Sequence, residues 1–395
     1  MAKGGSRAHA WIRHFNRAAV MTTIRRHGAV SRPVIEQETN LAFPTIMQIT
    51  NSLIEDGMVI ETDIGPSSGG RPPKLLSIRR DFGFAVGLKV QDGRVSAAVV
   101  DFCGQILSRH GREVDTSSAP QALLTIADFA RTLIGTQADG YGAILGVGLA
   151  VPGVVDSATG TMRSSPLLGW AQVEVAEIFR SAVSHPVWVD NDVNVLAQDH
   201  ALFGLGQRTQ NFLVLTLGRG VGLGIAVDGR VYRGLHGGAG EIGHIPWPGG
   251  TEVCSCGQVG CLETIFSDHA LSRRYQAESG RSISPEKLRA LARTGDAEAV
   301  EFYHQVGSEL GRVVGFLATL FAPQAIILSG EGTTCGGPLL DGVRTTLPQY
   351  AMSPQSSDVE VLLDEWDDHR WARGAASLVF DHVIFPASVR NFGVP

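Results

Sequence analysis

The sequence contains few cysteines, few charged residues and no long apolar run. Of its 395 residues, 18% are charged, 44% are hydrophobic and five are cysteine. So few cysteines exclude a disulfide scaffold in a chain of this length, and the apolar content excludes disorder as the main state. No apolar run approaches the roughly 20 residues of a membrane span, and the first 30 residues carry charges in place of a signal peptide's apolar core. We therefore expect a cytoplasmic protein with no membrane partner, and at roughly 100–200 residues per domain its length predicts two to four domains.

Charge is distributed unevenly along the chain. Residues 1–80 contain 11 Lys and Arg against 6 Asp and Glu, whereas the remainder contains 22 against 33. The first 35 residues hold seven basic side chains and no carboxylate. A segment that contacts phosphates has this composition, and so does a solvated basic arm. Charge alone therefore leaves both interpretations open.

Three short helical patterns follow in the first 60 residues. Val20 and Ile24 lie four residues apart, as one helix face requires, and Gly28 can end that helix in a left-handed conformation. Ser31 is predicted to cap the second helix, with Pro33 in its first turn. The third helix would bury one face and present a polar one, and polar side chains near the start of such a helix can reach base edges in the major groove. The buried set is Ile46, Ile49 and Leu53, and the polar set is Thr45, Gln48 and Asn51.

Two strands and a loop complete the first domain. Residues 58–61 and 75–78 are predicted strands, and the loop between them is rich in Gly, Pro and Ser and contains Arg71. This order predicts a winged helix-turn-helix over residues 1–80, with Arg71 at the wing tip and operator DNA as the partner. An extended arginine can enter a narrow minor groove, although an ordinary solvated loop charge is the alternative for Arg71. The candidate DNA contacts are Thr45, Gln48, Asn51 and Arg71.

The remainder, residues 81–395, uses one order of elements twice. Two predicted strands flank Asp92-Gly93, a sequence suited to a tight hairpin turn, and a third strand, a helix and a fourth strand follow. The sequence Asp-Gly-Arg-Val at this turn recurs at residues 228–231, between strands of the second half. A repeated unit predicts an α/β body of two similar lobes with a cleft between them. The lobes would span roughly 81–200 and 201–395.

A cluster of metal-ligand side chains lies in the second half. His244 precedes Cys254, Cys256 and Cys261, which together offer one imidazole and three thiolates. This number and type of ligands is typical of closed tetrahedral zinc sites, and nearby glycines let the loop fold back on the ion. A disulfide is the competing interpretation, but cysteines separated by one residue close a strained ring and the cytosol is reducing. The sequence therefore predicts structural Zn²⁺.

Polar residues around this cluster could hold a polyhydroxylated ligand. Glu241 comes three residues before His244, Glu263 comes two after Cys261, and Asn191-Asp192 follow a short predicted strand and begin a helix. Such acceptors can hold sugar hydroxyls, and an Asp among them can take a hydroxyl proton when a phosphoryl donor is present. Each alone would more often be a solvated surface charge.

A glycine-rich segment, residues 217–225 (LGRGVGLGI), is followed by Gly234, Gly240, Gly243 and His244. In order and spacing these residues match the signature of the ROK family (repressors, open reading frames and kinases). The chain resembles this family over nearly its whole length, and in particular its sugar-responsive repressors. The resemblance implies a winged helix-turn-helix followed by a two-lobed, actin-like or hexokinase-like body with a structural zinc loop. It also implies a homodimer or homotetramer that regulates carbohydrate genes. The implied sugar site comprises Gly153, Asn191, Asp192, Glu241, His244 and Glu263, and the implied zinc ligands are His244, Cys254, Cys256 and Cys261.

Departures from the family's pattern bear on enzymatic activity. Family kinases open the body with Asp-x-Gly-Gly-Thr, whose backbone N–H groups cradle phosphates, whereas residues 87–93 here read GLKVQDG. The second phosphate loop has Arg219 where family kinases usually carry Thr. We therefore expect no catalysis and a repressor whose operator affinity is controlled by a bound sugar. The alternatives are an ATP-dependent sugar kinase with Asp192 as general base, and a regulator that responds to a partner protein.

Overall fold

The N-terminal unit consists of three helices and a three-stranded sheet. A computed structural model of the chain describes residues 3–64, 73–137, 142–352 and 358–384. The first elements are α1 (Lys3–His27), β1 (Ala29–Ser31), α2 (Arg32–Thr39), α3 (Phe43–Glu55), β2 (Val59–Ile64) and β3 (Lys74–Ile78). The strands pair antiparallel in the order β1-β3-β2. This arrangement confirms the predicted winged helix-turn-helix, while Arg71 lies outside the described residues.

Helix ends in this unit follow the sequence with two differences. Gly28 (φ 74°) ends α1 and Gly57 (φ 75°) follows α3, both in the left-handed conformation that glycine adopts without strain. The basic N-terminal segment is part of α1 rather than an arm before it. Ser31 occupies the N-cap position of α2, as predicted, but its side chain makes no capping hydrogen bond to the described backbone. Pro33, with its fixed φ, stands in the first turn instead.

The first lobe is built on a five-stranded sheet in the order β11-β7-β4-β5-β6. β4, β7 and β11 run parallel, whereas β4, β5 and β6 form an antiparallel meander. A small antiparallel sheet, β10-β9-β8, lies between β7 and α5 in the chain. The elements are β4 (Gly83–Gln91), β5 (Arg94–Asp101), β6 (Ile106–Glu113), α4 (Ala119–Gln137), β7 (Ala143–Val151), β8 (Val154–Asp156), β9 (Thr161–Ser165), β10 (Trp170–Val173), α5 (Val175–Ala182), β11 (Val187–Asn191) and α6 (Asp192–Phe203).

The second lobe repeats this sheet, with a third strand, β14, of only two residues. Its strand order is β14-β13-β12-β15-β16, with an antiparallel hairpin half and a parallel half. The strands are β12 (Phe212–Leu217), β13 (Val221–Val227), β14 (Arg230–Val231), β15 (Ala325–Ser329) and β16 (Glu360–Leu363). The helices are α7 (Glu263–Phe266), α8 (Asp268–Ser279), α9 (Pro285–Arg293), α10 (Ala297–Phe321), α11 (Gly337–Tyr350) and α12 (Asp368–Ile384). Within the described ranges, no helix combines the length and apolar character that crossing a membrane requires.

The two Asp-Gly turns differ in backbone conformation. At the second turn both Asp228 (φ 51°) and Gly229 (φ 71°) are left-handed, as a tight hairpin demands. At the first turn only Gly93 (φ 72°) is left-handed. The first turn joins β4 to β5, whereas the second joins β13 to β14, which take the places of β5 and β6 in the second sheet. The prediction that the repeated sequence lies at the same turn in both lobes is therefore wrong, and the strand order alone carries the repeat.

The last helix, α12, packs on the first sheet although it follows the second in the chain. Gly87 of β4 and Gly148 of β7 are paired in register, and they leave room for the helix backbone at Ala372 and Ala375. Val379, Phe380 and Ile384 of α12 share a buried cluster with α1, α3 and β5. The helix therefore joins the winged-helix unit to the first lobe. The predicted domain limits remain a prediction.

Candidate functional site

A cavity of about 610 Å³ lies between the two lobes. It receives side chains from the ends of β4 and β11, from the loop between β12 and β13, and from the segment that carries the cysteines. The structure brings all the predicted sugar-site residues to its wall. These residues are Gly153, Asn191, Asp192, Glu241, His244 and Glu263.

Asn191 holds two other parts of this wall in place. As the N-cap of α6, its Oδ1 accepts hydrogen bonds from the backbone N–H groups of Val193 (2.7 Å) and Asn194 (3.1 Å). Its Nδ2 donates to the carbonyl oxygen of Gly153 at 2.9 Å. The amide thereby fixes both the Gly153 turn and the first residue of α6, and it retains one N–H hydrogen for a ligand.

Burial disfavours the charged forms of Asp192 and Glu241. Burial raises the pKa of Asp192, and the Lys89 ammonium opposes that rise. Burial also raises the pKa of Glu241, with His244 opposing the rise and the Asp192 and Glu263 carboxylates adding to it. Because these acceptors repel one another, a neutral ligand with several hydroxyl donors is better suited to them than an anionic one.

The predicted metal ligands form a compact group. The ligand atoms of His244, Cys254, Cys256 and Cys261 all lie within 4.8 Å of one another. Cys256 Sγ is 3.7 Å from Cys261 Sγ, and His244 Nδ1 is 3.5 Å from Cys254 Sγ. A tetrahedral ion with bonds of about 2.3 Å to sulfur and about 2.0 Å to nitrogen requires about 3.8 Å between two sulfurs and about 3.5 Å between sulfur and nitrogen. The group could therefore bind a metal ion.

The competing disulfide is not formed. All five cysteines lie within the described residues and carry free thiols, and the 3.7 Å between the Cys256 and Cys261 sulfurs far exceeds a disulfide bond of about 2.05 Å. Burial and the neighbouring sulfurs raise the pKa of Cys261 to about 12. A metal ion that binds here must therefore displace a thiol proton.

Close backbone contacts fold the cysteine loop onto itself. Isolated bridges pair Pro246 with Cys261 and Val253 with Val259. Gly250 and Gly260 meet so closely that a Cβ on Gly250 would lie 2.6 Å from the carbonyl oxygen of Gly260. The glycines therefore set the spacing of the ligands, as the sequence predicted. His244 faces the sulfurs through Nδ1 and also lines the cavity, so the cluster and the cavity share one side chain.

Two charged residues of the cavity wall, Lys89 and Glu331, were not among the predicted site residues. Lys89 lies on β4, and its Nζ stands 3.6 Å from the centre of the Trp371 ring. Glu331 follows β15 and accepts a hydrogen bond from the backbone N–H of Arg219 at 3.1 Å. The GLKVQDG segment pointed to the position of Lys89, whereas a single glutamate 112 residues from its partner gives no local signal.

The predicted recognition helix presents two of its three polar residues to solvent. Gln48 and Asn51 are exposed and Thr45 is half-buried. Asn51 lies near Arg32 of α2, whose Nη2 is 3.5 Å from the Asn51 Oδ1. All three belong to the exposed side of α3, opposite Ile46 and Leu53.

The fold and cleft define a class: a winged helix-turn-helix joined to a two-lobed, actin-like body. The ROK family model matches residues 86–382, and the chain belongs to the ROK family. The chain is 27% identical over 393 residues to the xylose repressor of Caldicellulosiruptor bescii, covering 96% of this chain and 98% of that protein. It is 30% identical over 385 residues to the DNA-binding transcriptional dual regulator NagC of Escherichia coli strain K12, covering 93% of each. A protein named N-acetylglucosamine repressor from Escherichia coli O157:H7 matches at the same identity.

Solved structures of two kinds share the fold. A ROK family transcriptional regulator, a homolog of the Escherichia coli MLC protein, superposes with a TM-score of 0.81 at 25% identity, covering 96% of this chain and all of that one. A ROK family glucokinase from Streptomyces griseus, solved with glucose and AMPPNP, superposes with a TM-score of 0.66 at 27% identity, covering 75% of this chain and 99% of that one. Similarity to the regulator extends through the N-terminal unit, and these comparisons confirm the resemblance seen in the sequence.

Proposed function

We propose that this protein is a transcriptional regulator, of the repressor type, whose affinity for operator DNA is controlled by a sugar or sugar derivative in the cleft. The observation that carries the proposal is the union of a winged-helix unit with a cleft rich in hydroxyl acceptors, in a chain matched along nearly its full length by proteins named as sugar repressors. Acting on operator DNA, it would work in the cytoplasm.

In this proposal the sugar lies against Asp192, Glu241 and Glu263, with Asn191 donating its remaining N–H. Gly153 lines the same wall and allows the close approach of the backbone at Ser164. His244 contributes Nε2, since Nδ1 faces the sulfurs. The ion that suits three thiolates and an imidazole in a tetrahedral group is Zn²⁺. When bound, it would fix the orientation of the His244 ring and the shape of the loop.

The path from the cleft to the DNA-binding unit is short. α6 begins at Asp192 in the cavity wall and ends at Phe203, whose ring centre is 5.0 Å from the guanidinium carbon of Arg25 in α1. Arg25 also donates a hydrogen bond to the carbonyl oxygen of Phe102 at 2.8 Å. A movement of α6 on sugar binding would therefore reach the base of the winged helix. A homodimer or homotetramer would present two such units to a palindromic operator.

The test is operator affinity with and without sugars. Fluorescence anisotropy of an operator fragment is measured with D-xylose, N-acetylglucosamine and D-glucose, each also assayed for direct binding by calorimetry. We expect at least one bound sugar to shift operator affinity about tenfold or more. An operator affinity that no bound sugar changes would contradict the proposal.

Replacing Gln48 by alanine should weaken operator binding. Gln48 is exposed in the middle of α3, and a side chain that reads a base edge contributes about 1–3 kcal/mol. Operator affinity should therefore fall about 10-fold to 100-fold while sugar affinity stays unchanged. Q121A, the same substitution on the exposed face of α4, is the matched control. Equal operator affinities of Q48A and Q121A would remove Gln48 from the DNA contact.

Replacing Asp192 by asparagine separates the regulator from a sugar kinase. A carboxylate that accepts two hydroxyl hydrogen bonds contributes about 1.5–3 kcal/mol per bond, so D192N should lose at least about tenfold in sugar affinity. D128N, which alters an exposed carboxylate on α4, is the control. Neither the unaltered protein nor any variant should release ADP from ATP and a sugar. Sugar-dependent ADP release that D192N abolishes would reverse the assignment in favour of a kinase.

A further inference from the structure

Glu331 places its carboxylate on the loop that joins β12 to β13. It is the first residue after the turn at Gly330 (φ 93°) that ends β15. Its Oε1 accepts the backbone N–H of Arg219 at 3.1 Å. A Cβ built on Gly218 would lie 2.3 Å from the Glu331 carboxyl carbon and 2.5 Å from Oε1. The carboxylate therefore lies directly against the backbone at Gly218 and depends on that residue being glycine.

This loop has the chemistry of an anion-binding site. Glycine-rich turns expose consecutive backbone N–H groups, which bind phosphate oxygens in many proteins, and residues 218–222 read GRGVG. Here one N–H of the loop already donates to an internal carboxylate. On the other side of the loop, a Cβ on Gly220 would lie 2.8 Å from Glu263 Oε2. Two carboxylates thus flank the turn where a phosphate would otherwise bind.

The same loop is tied to the opposite lobe. The Arg219 guanidinium is 3.4 Å from Asp92, in the turn between β4 and β5. Among the described residues lining the cavity, four are carboxylates, whereas the fixed cations are Lys89 and Arg219. The four are Asp192, Glu241, Glu263 and Glu331. A polyphosphate entering this cleft would meet net negative charge, with Arg219 already paired.

We propose that the Glu331 carboxylate occupies the anion-binding site on the loop at Gly218. It thereby excludes nucleotides and other polyphosphates from a cleft that remains open to a neutral sugar. The inference rests on the proposed function, because it explains how a kinase-like cleft serves binding alone. Glu331 lies outside the metal-ligand group, although it lines the same cavity as Asp192 on the sugar side.

The test is binding of pyrophosphate and of ATP with Mg²⁺ to the full chain, measured by calorimetry. E331A removes the carboxylate from the anion-binding site, and E331Q keeps the size of the side chain while removing its charge. Removal of one like charge next to the site should raise pyrophosphate affinity at least about tenfold, with E331A the stronger binder. E360Q, which removes a charge from the same lobe at an exposed position on β16, should bind no better than the unaltered protein. Thermal melting verifies that each variant folds. If E331A does not fold, the binding test is made with E331Q alone.

Two results would overturn the inference. One is a pyrophosphate affinity of both E331A and E331Q equal to that of the unaltered protein. The other is firm binding of ATP by the unaltered protein. Failure of the proposed function shows differently, as an unaltered protein that binds no operator DNA or whose operator affinity no bound sugar changes.

Discussion

Replacing Cys261 by serine should abolish metal binding at the His244 and cysteine group and, in the proposed function, most of the sugar affinity. Cys261 is fully buried, its sulfur is 3.7 Å from Cys256 Sγ, and it contacts the carbonyl oxygen of His244. A serine hydroxyl is a poor ligand for a soft tetrahedral site. Without the ion, the His244 ring and the loop from Pro246 to Cys261 lose their anchor. Metal content, measured by mass spectrometry, should fall from about one ion per chain to nearly none, and sugar affinity should fall more than about 100-fold.

C103S is the matched control for this experiment. Cys103 is exposed and lies outside the metal-ligand group, so its replacement should leave both the metal content and the sugar affinity unchanged. C254S should reproduce the C261S result, because it removes a ligand from the same group. A C261S protein that is free of metal but binds sugar normally would show that the ion does not shape the pocket.

Replacing Gly148 by alanine should destabilise the body by about 3 kcal/mol or more. The added Cβ would lie 1.8 Å from the carbonyl oxygen of Ala375 and 2.6 Å from its carbonyl carbon. Both obstacles are backbone atoms of α12, so no side-chain rotation relieves the clash. The helix must move away from β4 and β7, which opens the cluster that it shares with the winged-helix unit. The free energy of unfolding is measured by urea denaturation.

G135A makes the same substitution where it should have the opposite effect. Gly135 is exposed in α4, and no described atom lies within 4 Å of its added Cβ. Alanine favours a helix over glycine by up to about 1 kcal/mol, so G135A should be slightly stabilising. If G148A were as stable as G135A, the close approach of α12 to the sheet would be refuted. G148A should also weaken operator binding more than sugar binding, since α12 joins the first lobe to the winged helix.

Helix and strand positions near the N-terminus could be predicted because local signals were strong. Gly28 and Gly57 end helices where their left-handed conformations are observed, and the spacing of Ile46, Ile49 and Leu53 correctly predicts the buried face of α3. Ser31 stands at the predicted N-cap without a capping hydrogen bond, and the sequence does not reveal which bonds such a side chain forms. Charge alone left the structure of the basic segment open, and the segment lies in α1.

The metal-ligand group was accessible to sequence reasoning for a different reason. His244 and the three cysteines lie within 18 residues of one another, so the spacing itself restricts them to one loop. The carboxylates of the cleft come from four separate segments, and here the family resemblance supplied what spacing could not. Neither kind of signal pointed to Glu331, because its carboxylate comes to lie beside Gly218 only when β12 and β15 pair.

The sequence by itself determined the parts: a DNA-reading unit, a repeated α/β body and four metal-ligand side chains close in the chain. The tertiary structure alone decided how the parts meet. It placed α12 on the first sheet, the end of α6 beneath Arg25, and the Glu331 carboxylate on the loop at Gly218. The physical reason is range: capping, periodicity and ligand spacing act within a few turns of chain, whereas backbone close approach and charge placement depend on segments that meet only when the sheets have formed.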